Sequence, residues 1–554
     1  MIQGRFYWLA VLGIGTVYLA GLFTRLMEND SAQFAVMAMR MVQEQDFLNL
    51  WKGSEEYLDK PHLHYWLAAL SYTCFGLYDW AYRIPAVLAT FIGAYICYGL
   101  GSALYSKNTG RIAALVFLSA QTIVLSGIDV RTDAVLTGFG ALAIWQLYVY
   151  MREGRLAPLL LGAAATGLAF STKGQIAILV IGLPLICQLL YSGSWKRLWD
   201  PKVLLGLLVF VVFISPMLYA YYQQFDLHPE KVIRGRDHRS GIFFIFWEQS
   251  FERLSGEGMG KNSSDYFFFF HTFLWVFLPW TLIGLAAFWQ KAREFWNNRR
   301  IRAGEVLTLG GISLIFLIIS FAQFKLPHYL NITIPLFAVL TASQLDRWYR
   351  ADNRTALKRL AYAQLGIYIL VALAVVLISF WVFPMGSAGG YFLLIVVILL
   401  GFGLFLKWKD PLIKVIGIGV FSCILLNLVM NTHFYPSLLN YQGGSSMADV
   451  IEQESLEVDT IFKISEQHTW ALDFYFGKPV QEVRLKELPG DSAIWIYANG
   501  KQRDRLLKAG LQWDREYTVD QFRISRLQAR FLNPATREQV LGKRHLLRVL
   551  PAEP

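Results

Sequence analysis

The chain has 554 residues, 55% hydrophobic and only 16% charged, with 51 Lys and Arg against 40 Asp and Glu. Its mean hydropathy of +0.39 excludes a soluble globular protein, and the composition excludes a disordered chain, a collagen and a coiled coil, so the bilayer is the expected solvent. The net charge of +11 would suggest nucleic acid in a soluble protein, but in a membrane protein it reflects Lys and Arg gathered on the cytoplasmic side, and no nucleic-acid partner is expected.

Apolar windows recur near 6–24, 80–105, 111–128, 133–150, 157–171, 174–191, 203–222, 266–288, 305–322, 327–344, 361–383, 390–407 and 411–430, which predicts about thirteen membrane-crossing helices. The first follows a single Arg5 and has no small-residue cleavage pattern after it, so it reads as an uncleaved span. Cys74, Cys97, Cys187 and Cys423 lie in or beside apolar segments with no pair at metal spacing. Neither a disulfide framework nor a Cys zinc site is expected.

Alternate loops differ sharply in Lys and Arg. One side collects Arg5, Lys107, Arg111, Arg152, Arg155, Lys196, Arg197, Lys202, Lys291, Arg293, Arg347, Arg350, Lys407 and Lys409 among others, whereas the short loops opposite hold only Arg131, Lys173 and Lys325. The positive-inside rule then places the N-terminus in the cytoplasm. The long loops 25–79 and 223–265 and the C-terminal region fall on the outer side, the periplasm of a Gram-negative inner membrane. After residue 431 the composition turns polar. Residues 432–554 read as a separate small α/β domain, with strands expected at 459–465, 471–476, 493–498 and 516–525 and helices at 445–455 and 502–509.

Candidate chemistry begins at the mouth of the first span with Arg25, Glu28, Asn29 and Asp30, where a carboxylate is costly unless paired or wetted. Residues 32–46 place Phe34, Met37, Ala38 and Met41 on one helical face, which predicts a helix lying on the membrane surface. Further on, Asp59, Lys60, His62 and His64 precede an apolar stretch too short to span, read as re-entrant or interfacial. Lys60 reads as a phosphate-binding cation; the two histidines, without a nearby Cys, leave a metal unspecified. Arg131 with Asp133, Lys173 and Lys325 are cations kept in loops that otherwise avoid charge, at a cost of about 3 kcal/mol each on insertion scales. The loop 223–265 carries Arg234, Arg236, Asp237, His238, Arg239, Glu248, Glu252, Arg253 and Lys261. It is either a set of cations facing an anionic substrate or a lid held by ion pairs.

Taken in order, NDSAQFAVMAMRM, YLDKPHLHYWLAAL, RIPAVLA, RTDAVLTGF, TKGQIAI, FFIFWEQSFERL with a downstream FLPW, and KLPHYLNITIPLFAVL resemble the bacterial polyprenyl-phosphate-sugar glycosyltransferases. These are membrane-embedded C-type enzymes that include the protein O-mannosyltransferases and the lipid A aminoarabinose transferases. The resemblance runs from residue 1 to about 440, and the trailing α/β region resembles the periplasmic domain of the aminoarabinose branch. It implies the C-type fold and inverting transfer of a sugar (aminoarabinose, mannose or similar) from a polyprenyl phosphate to lipid A or a protein at the outer membrane face. The family's acidic pair maps onto Asp30 and Ser31, so the second acid is absent and Glu28 is its nearest substitute; its Glu-Lys-Pro motif maps onto Asp59, Lys60 and Pro61, and its Thr-Asp step onto Thr132 and Asp133.

In an inverting displacement negative charge grows on the departing phosphate, so cations must gather there. Lys60, Lys325 and Arg253 are assigned to it, with Arg131 and Lys173 in support. Asp30 and Asp133 are the catalytic candidates; Glu28, Asp59, His64, Glu248, His328 and Tyr329 are supporting ones. For a hydroxyl acceptor Asp30 would be the general base; for an ionised phosphate acceptor it would orient. No cofactor is demanded, and a divalent metal is left open. A flippase of an anionic lipid or a non-catalytic lipid-sugar binder would share the spans and outer cations. The asymmetric outer loops and the lack of inverted internal symmetry speak against a flippase.

Overall fold

A computed structural model describes residues 4–249, 251–252, 265–298, 303–464, 467–489 and 492–551. Nine helices among the described residues are long and apolar enough to cross a membrane: Gly4–Leu22, Asp79–Leu104, Thr132–Glu153, Leu156–Lys173, Gln175–Ser192, Lys202–Asp226, Arg354–Val382, Ala388–Lys407 and Pro411–Leu439. The chain is therefore a multi-span membrane protein. Leu204, Leu207, Leu208 and Val211 are more than half exposed, as expected of side chains whose solvent is lipid.

Three of the four remaining apolar windows form shorter pieces. Window 111–128 divides into Lys107–Leu118 and Gln121–Ser126, and window 266–288 into Phe268–Val276 and Thr281–Asn298 around Pro279. Window 327–344 opens as a 3-10 turn, Pro327–Thr333, before the helix Ile334–Arg350. Proline has no N–H to continue a helix through, and Pro279 lies in the first of these last two breaks and Pro335 just after the second. Window 305–322 forms one helix, Ala303–Phe321, 19 residues long. Elsewhere Gly154, at φ +69°, closes Thr132–Glu153 so that Leu156–Lys173 packs back against it within two residues.

Three turns at one end of the bundle are tied by Arg83, which is fully buried. Its guanidinium donates to the carbonyls of Ile128 (2.8 Å), Arg25 (3.0 Å), Leu22 (3.1 Å) and Asp79 (3.4 Å). This fixes the exit of the first span against the turn that carries Asp129 and Arg131. The helix Asp30–Glu44 is enclosed by other parts of the chain: every residue from 31 to 39 is buried. Small side chains at Ser31, Ala32, Ala35 and Ala38 let Leu63–Phe75 and the C-terminal helix Trp470–Phe476 approach from two sides. A short hairpin, β1 (Trp51–Lys52) and β2 (Glu55–Glu56), follows.

Beyond Gly443 lies a mixed sheet of β3 (Ile461–Lys463), β4 (Gln481–Glu482), β5 (Ile494–Asn499), β6 (Trp513–Gln521) and β7 (Gly542–Val549) in the order β4-β3-β5-β7-β6. β3 runs parallel to β4 and β5, and β7 antiparallel to β5 and β6. Both faces are covered: Met447, Leu472 and Tyr497 pack on one side, Ile496, Leu506 and Leu547 on the other. The stretch 471–476 is helical rather than extended. Gly477, at φ +82°, closes it by donating to the carbonyls of Asp473 and Phe474, a glycine cap that outweighs the alternating pattern.

Glu28, from the exit of the first span, is buried against this C-terminal layer, where its Oε1 accepts from the Ala471 N–H at 3.1 Å. Burial pushes its carboxyl up to about 7, with Arg544 opposing the shift. Asp473, which accepts from the Val480 N–H and faces Thr469 and Lys463, is likewise pushed up to about 7, first by burial and also by the nearby Glu28. Both native pKa values lie above their unfolded ones, so the folded seam binds more protons than the unfolded chain, and stability falls as pH rises from the ordinary carboxylate range through about 7.

Two outcomes follow for stability. The thermal midpoint of the purified protein should fall between pH 5 and pH 8, and Glu28→Gln should flatten that slope. An unchanged slope in the variant would contradict the assignment. Arg83→Leu should cost several kcal/mol, at about 1–3 kcal/mol for each buried carbonyl left unsatisfied; Arg83→Lys should recover part of it in the same denaturation assay.

Candidate functional site

The ends of several helices converge on a polar pocket of about 180 Å³ lined by Asp30, Gln33, Lys52, Tyr57, Asp59, Lys60, Arg131, Thr132, Asp133, Lys173, His328 and Tyr329, with Phe34, Phe324 and Leu326. Asp30 opens its helix and Asp133 lies in the first turn of another, whereas Lys173 is the last residue of a third. Each charge thus meets the helix end of opposite sign, worth about 0.3–1 kcal/mol apiece. Gly174, at φ +72°, stops the Leu156–Lys173 helix at the lysine, its N–H returning to the Phe170 carbonyl at 2.7 Å.

Two charge clusters organise the pocket. Arg131 bridges Asp30 (Nη1 to Oδ2, 2.8 Å) and Asp129 (Nη2 to Oδ2, 2.9 Å). Asp133, almost fully buried, binds Lys173 through Oδ1 at 2.5 Å and lies 3.6 Å from His328 Nε2 through Oδ2. His328 Nδ1 is 3.4 Å from Arg131 Nη1, which joins the clusters, and the Lys173 ammonium stands 4.7 Å over the Tyr329 ring. The Asp30 side chain remains 41% exposed, and its Oδ1 meets no hydrogen-bond donor among the described residues. Asp30 can therefore take a hydrogen bond from a molecule entering the pocket. Both oxygens of Asp133 already face protein groups, so its place is to hold Lys173 and His328.

Of the expected site residues, Asp30, Asp59, Lys60, Arg131, Asp133, Lys173, His328 and Tyr329 come together in this pocket. Lys325 does not line it, although Phe324 and Leu326 do; its Nζ donates to the Asp265 carbonyl at 2.9 Å and stands over Tyr266. Glu28 is turned into the C-terminal layer and is no second acid of the pocket. His64 binds the Tyr82 hydroxyl at 3.0 Å, which donates in turn to the Val130 carbonyl, so it supports the Arg131 turn from behind. His62 instead meets the Leu48 carbonyl, and no group of three metal-ligating side chains occurs among the described residues. Arg253 and Lys261 lie outside the described residues.

The loop after residue 226 takes the form of an ion-paired lid. Arg239 pairs with Glu248 (2.9 Å) and Glu252, and Arg234 with Glu252 (3.2 Å) and Asp59. Gln249 donates to the Asp59 carbonyl at 2.7 Å, and Glu248, paired with Arg239, serves the lid rather than the pocket. Among the polar lining or bridging residues, Gln33, Lys52, Tyr57 and Asp129 carry no site expectation from the sequence. Only Asp129 had a signal available, as a carboxylate two residues ahead of Arg131.

Beside the polar pocket lies an apolar cavity of about 800 Å³, walled by Leu136, Ile176, Leu179, Leu183, Ile186, Phe210 and Ile318. Lys173 and Tyr329 line both spaces. A charged chamber thus adjoins a greasy one, an arrangement suited to a lipid with an anionic head.

A family model described as dolichyl-phosphate-mannose-protein mannosyltransferase matches residues 59–220, the stretch that holds Lys60, Arg131, Asp133 and Lys173. The undecaprenyl phosphate-alpha-4-amino-4-deoxy-L-arabinose arabinosyl transferase of Pseudomonas aeruginosa is 27% identical over 372 residues, 66% of this chain and 64% of that one. The protein of the same name from Edwardsiella ictaluri is 25% identical over 358 residues, 63% of this chain and 61% of that one. The matched stretch thus spans less than two thirds of the length of these curated relatives. The crystal structure of ArnT from Cupriavidus metallidurans bound to undecaprenyl phosphate aligns with a TM-score of 0.73 at 18% identity over 99% of both chains. Its apo form gives 0.73 at 19% identity over 98% and 97%. The chain has the fold of that protein, the C-type glycosyltransferase fold.

Proposed function

Because the chain is related in sequence and fold to the polyprenyl-phosphate-sugar glycosyltransferases, we propose that it is an inverting glycosyltransferase moving a sugar from undecaprenyl phosphate to an acceptor at the periplasmic face of the inner membrane. The observation that carries this reading is the shared wall of the two spaces: an isoprenoid tail would enter the apolar cavity, and Lys173, which lines both, would then face its phosphate. The names of the relatives favour 4-amino-4-deoxy-L-arabinose as the sugar; the mannosyltransferase description makes mannose the second candidate. The acceptor is lipid A or a protein. The loop charges support a cytoplasmic N-terminus and a periplasmic domain from residue 432 onward.

In this reading the acceptor oxygen attacks the anomeric carbon while the bond to the phosphate oxygen breaks, and the electron pair leaves with the polyprenyl phosphate. Lys60 and Lys173 stabilise the charge that grows there, with Arg131 in support. Asp133 holds Lys173 in place, and Asp30 lies on the attacking side with one oxygen ready for the acceptor. A hydroxyl acceptor would give up its proton to Asp30, a step worth about 10²–10⁴-fold; a phosphate acceptor would only be oriented.

Transfer from purified undecaprenyl phosphate-linked 4-amino-4-deoxy-L-arabinose to lipid A, with the mannose-linked donor in parallel, is the direct test. Lys60→Ala should raise the donor KM and lower kcat/KM by about 10²-fold or more, on the scale of removing one donor to a developing oxyanion. Asp30→Asn should lower kcat by about 10²–10⁴-fold if the accepting group is a hydroxyl. Full activity in both variants would refute the site, and donor movement across vesicles without transfer would refute the reaction.

A further inference from the structure

The segment that carries Asp30 is held from outside the membrane-spanning part of the chain. Gln442, 1% exposed, uses both ends of its side-chain amide on it: Oε1 accepts from the Glu28 N–H at 2.9 Å and Nε2 donates to the Leu26 carbonyl at 2.9 Å. An amide paired in this way imitates a neighbouring strand. One residue earlier, Arg25 makes a two-pronged pair with Asp449, Nη1 to Oδ2 at 2.7 Å and Nη2 to Oδ1 at 2.6 Å. The Leu26 N–H donates to the Tyr475 hydroxyl at 2.8 Å, and Glu28 is fastened to the Ala471 N–H.

The segment passes this restraint directly to Asp30. Ala32 N–H returns to the Met27 carbonyl at 3.1 Å and Gln33 N–H to the Asn29 carbonyl at 3.0 Å, so the first turn of the Asp30 helix is bonded to the segment that the C-terminal region grips. Arg131 holds the Asp30 carboxylate from the opposite side through one oxygen. A carboxylate with a single protein bond owes its remaining orientation to its backbone.

We infer that the C-terminal region is a positioning element of the reaction centre, with Gln442 and the Arg25–Asp449 pair as positioning residues that set where the Asp30 carboxylate meets the acceptor. The inference rests on the reading of Asp30 as the group on the attacking side. It also gives Glu28 a different task from the missing second acid, since its carboxylate fastens the segment instead of facing the pocket.

The test uses the full-length protein and the same purified donor and lipid A. Gln442→Ala and Arg25→Asp should each lower kcat, by up to about 10²-fold for a displacement near 1 Å, with the donor KM held within about twofold because, of the donor-side cations Lys60, Lys173 and Arg131, only the supporting Arg131 pairs with Asp30. The exchanged pair Arg25→Asp with Asp449→Arg should recover most of kcat, an outcome that a simple loss of fold would not give. An unchanged kcat in both single variants, beside an impaired Asp30→Asn, would overturn the inference and leave the function standing. So would a parallel loss of kcat, donor KM and thermal midpoint that the exchanged pair fails to restore. Full activity of Asp30→Asn would remove the reading of Asp30 and the inference with it.

Discussion

A guanidinium enclosed away from water must place its donors on whatever acceptors the fold supplies, and Arg83 places them on backbone carbonyls of three separate turns. Those turns are the exit of the first span, the approach to Arg131 and the start of the Asp79–Leu104 helix. The pocket's two halves, one bearing Asp30 and the other Arg131 and Asp133, hang from the first two of these. Remove the shared donor and each half keeps its own helix but loses its position relative to the other. The ion pair between Arg131 and Asp30, which joins residues 101 apart in the chain, depends on that prior alignment.

The same rule of compensated charge governs the pocket. Lys173 and Asp133 are 5% and 3% exposed, and a buried pair of this kind contributes little net stability against its desolvation, while breaking it is costly. Its value lies in keeping a cation at the border of an apolar cavity, where an unpaired one would be expelled or neutralised. On the proposed reading an arriving phosphate joins a cation already desolvated and aimed. The lid follows a similar scheme: Arg234 and Arg239 are matched by Glu248, Glu252 and Asp59, so its charges are engaged with one another.

How far the sequence reveals this depends on whether a residue's job conflicts with its surroundings. Asp30, Lys60, Arg131, Asp133 and Lys173 are legible because charge beside hydrocarbon has to be explained. Arg83 enters only as the first residue of RIPAVLA, since nothing local tells a buried guanidinium from a snorkelling one. Gln442 is invisible: one polar residue in a polar stretch, its meaning supplied entirely by a partner more than four hundred positions away. Spans were legible wherever hydrophobicity was unbroken; at Pro279 and Pro335 the windows held more apolar residues than continuous helix. The strand expected at 471–476 failed because a closing glycine outweighed alternation, and β7 was missed because Lys543, Arg544, His545 and Arg548 hide its buried Leu546, Leu547 and Val549.

The grip of the C-terminal region on residues 25–28 spans 414 to 449 positions of sequence. Chains are made and inserted from the N-terminus, and contacts this distant form last. The first loop therefore leaves the ribosome more than four hundred residues before the groups that fix it exist, and through that interval Asp30 lacks its frame. On the proposed reading, the protein's final quarter completes the frame of Asp30. A truncated or stalled product could thread its membrane helices and still lack an ordered reaction centre.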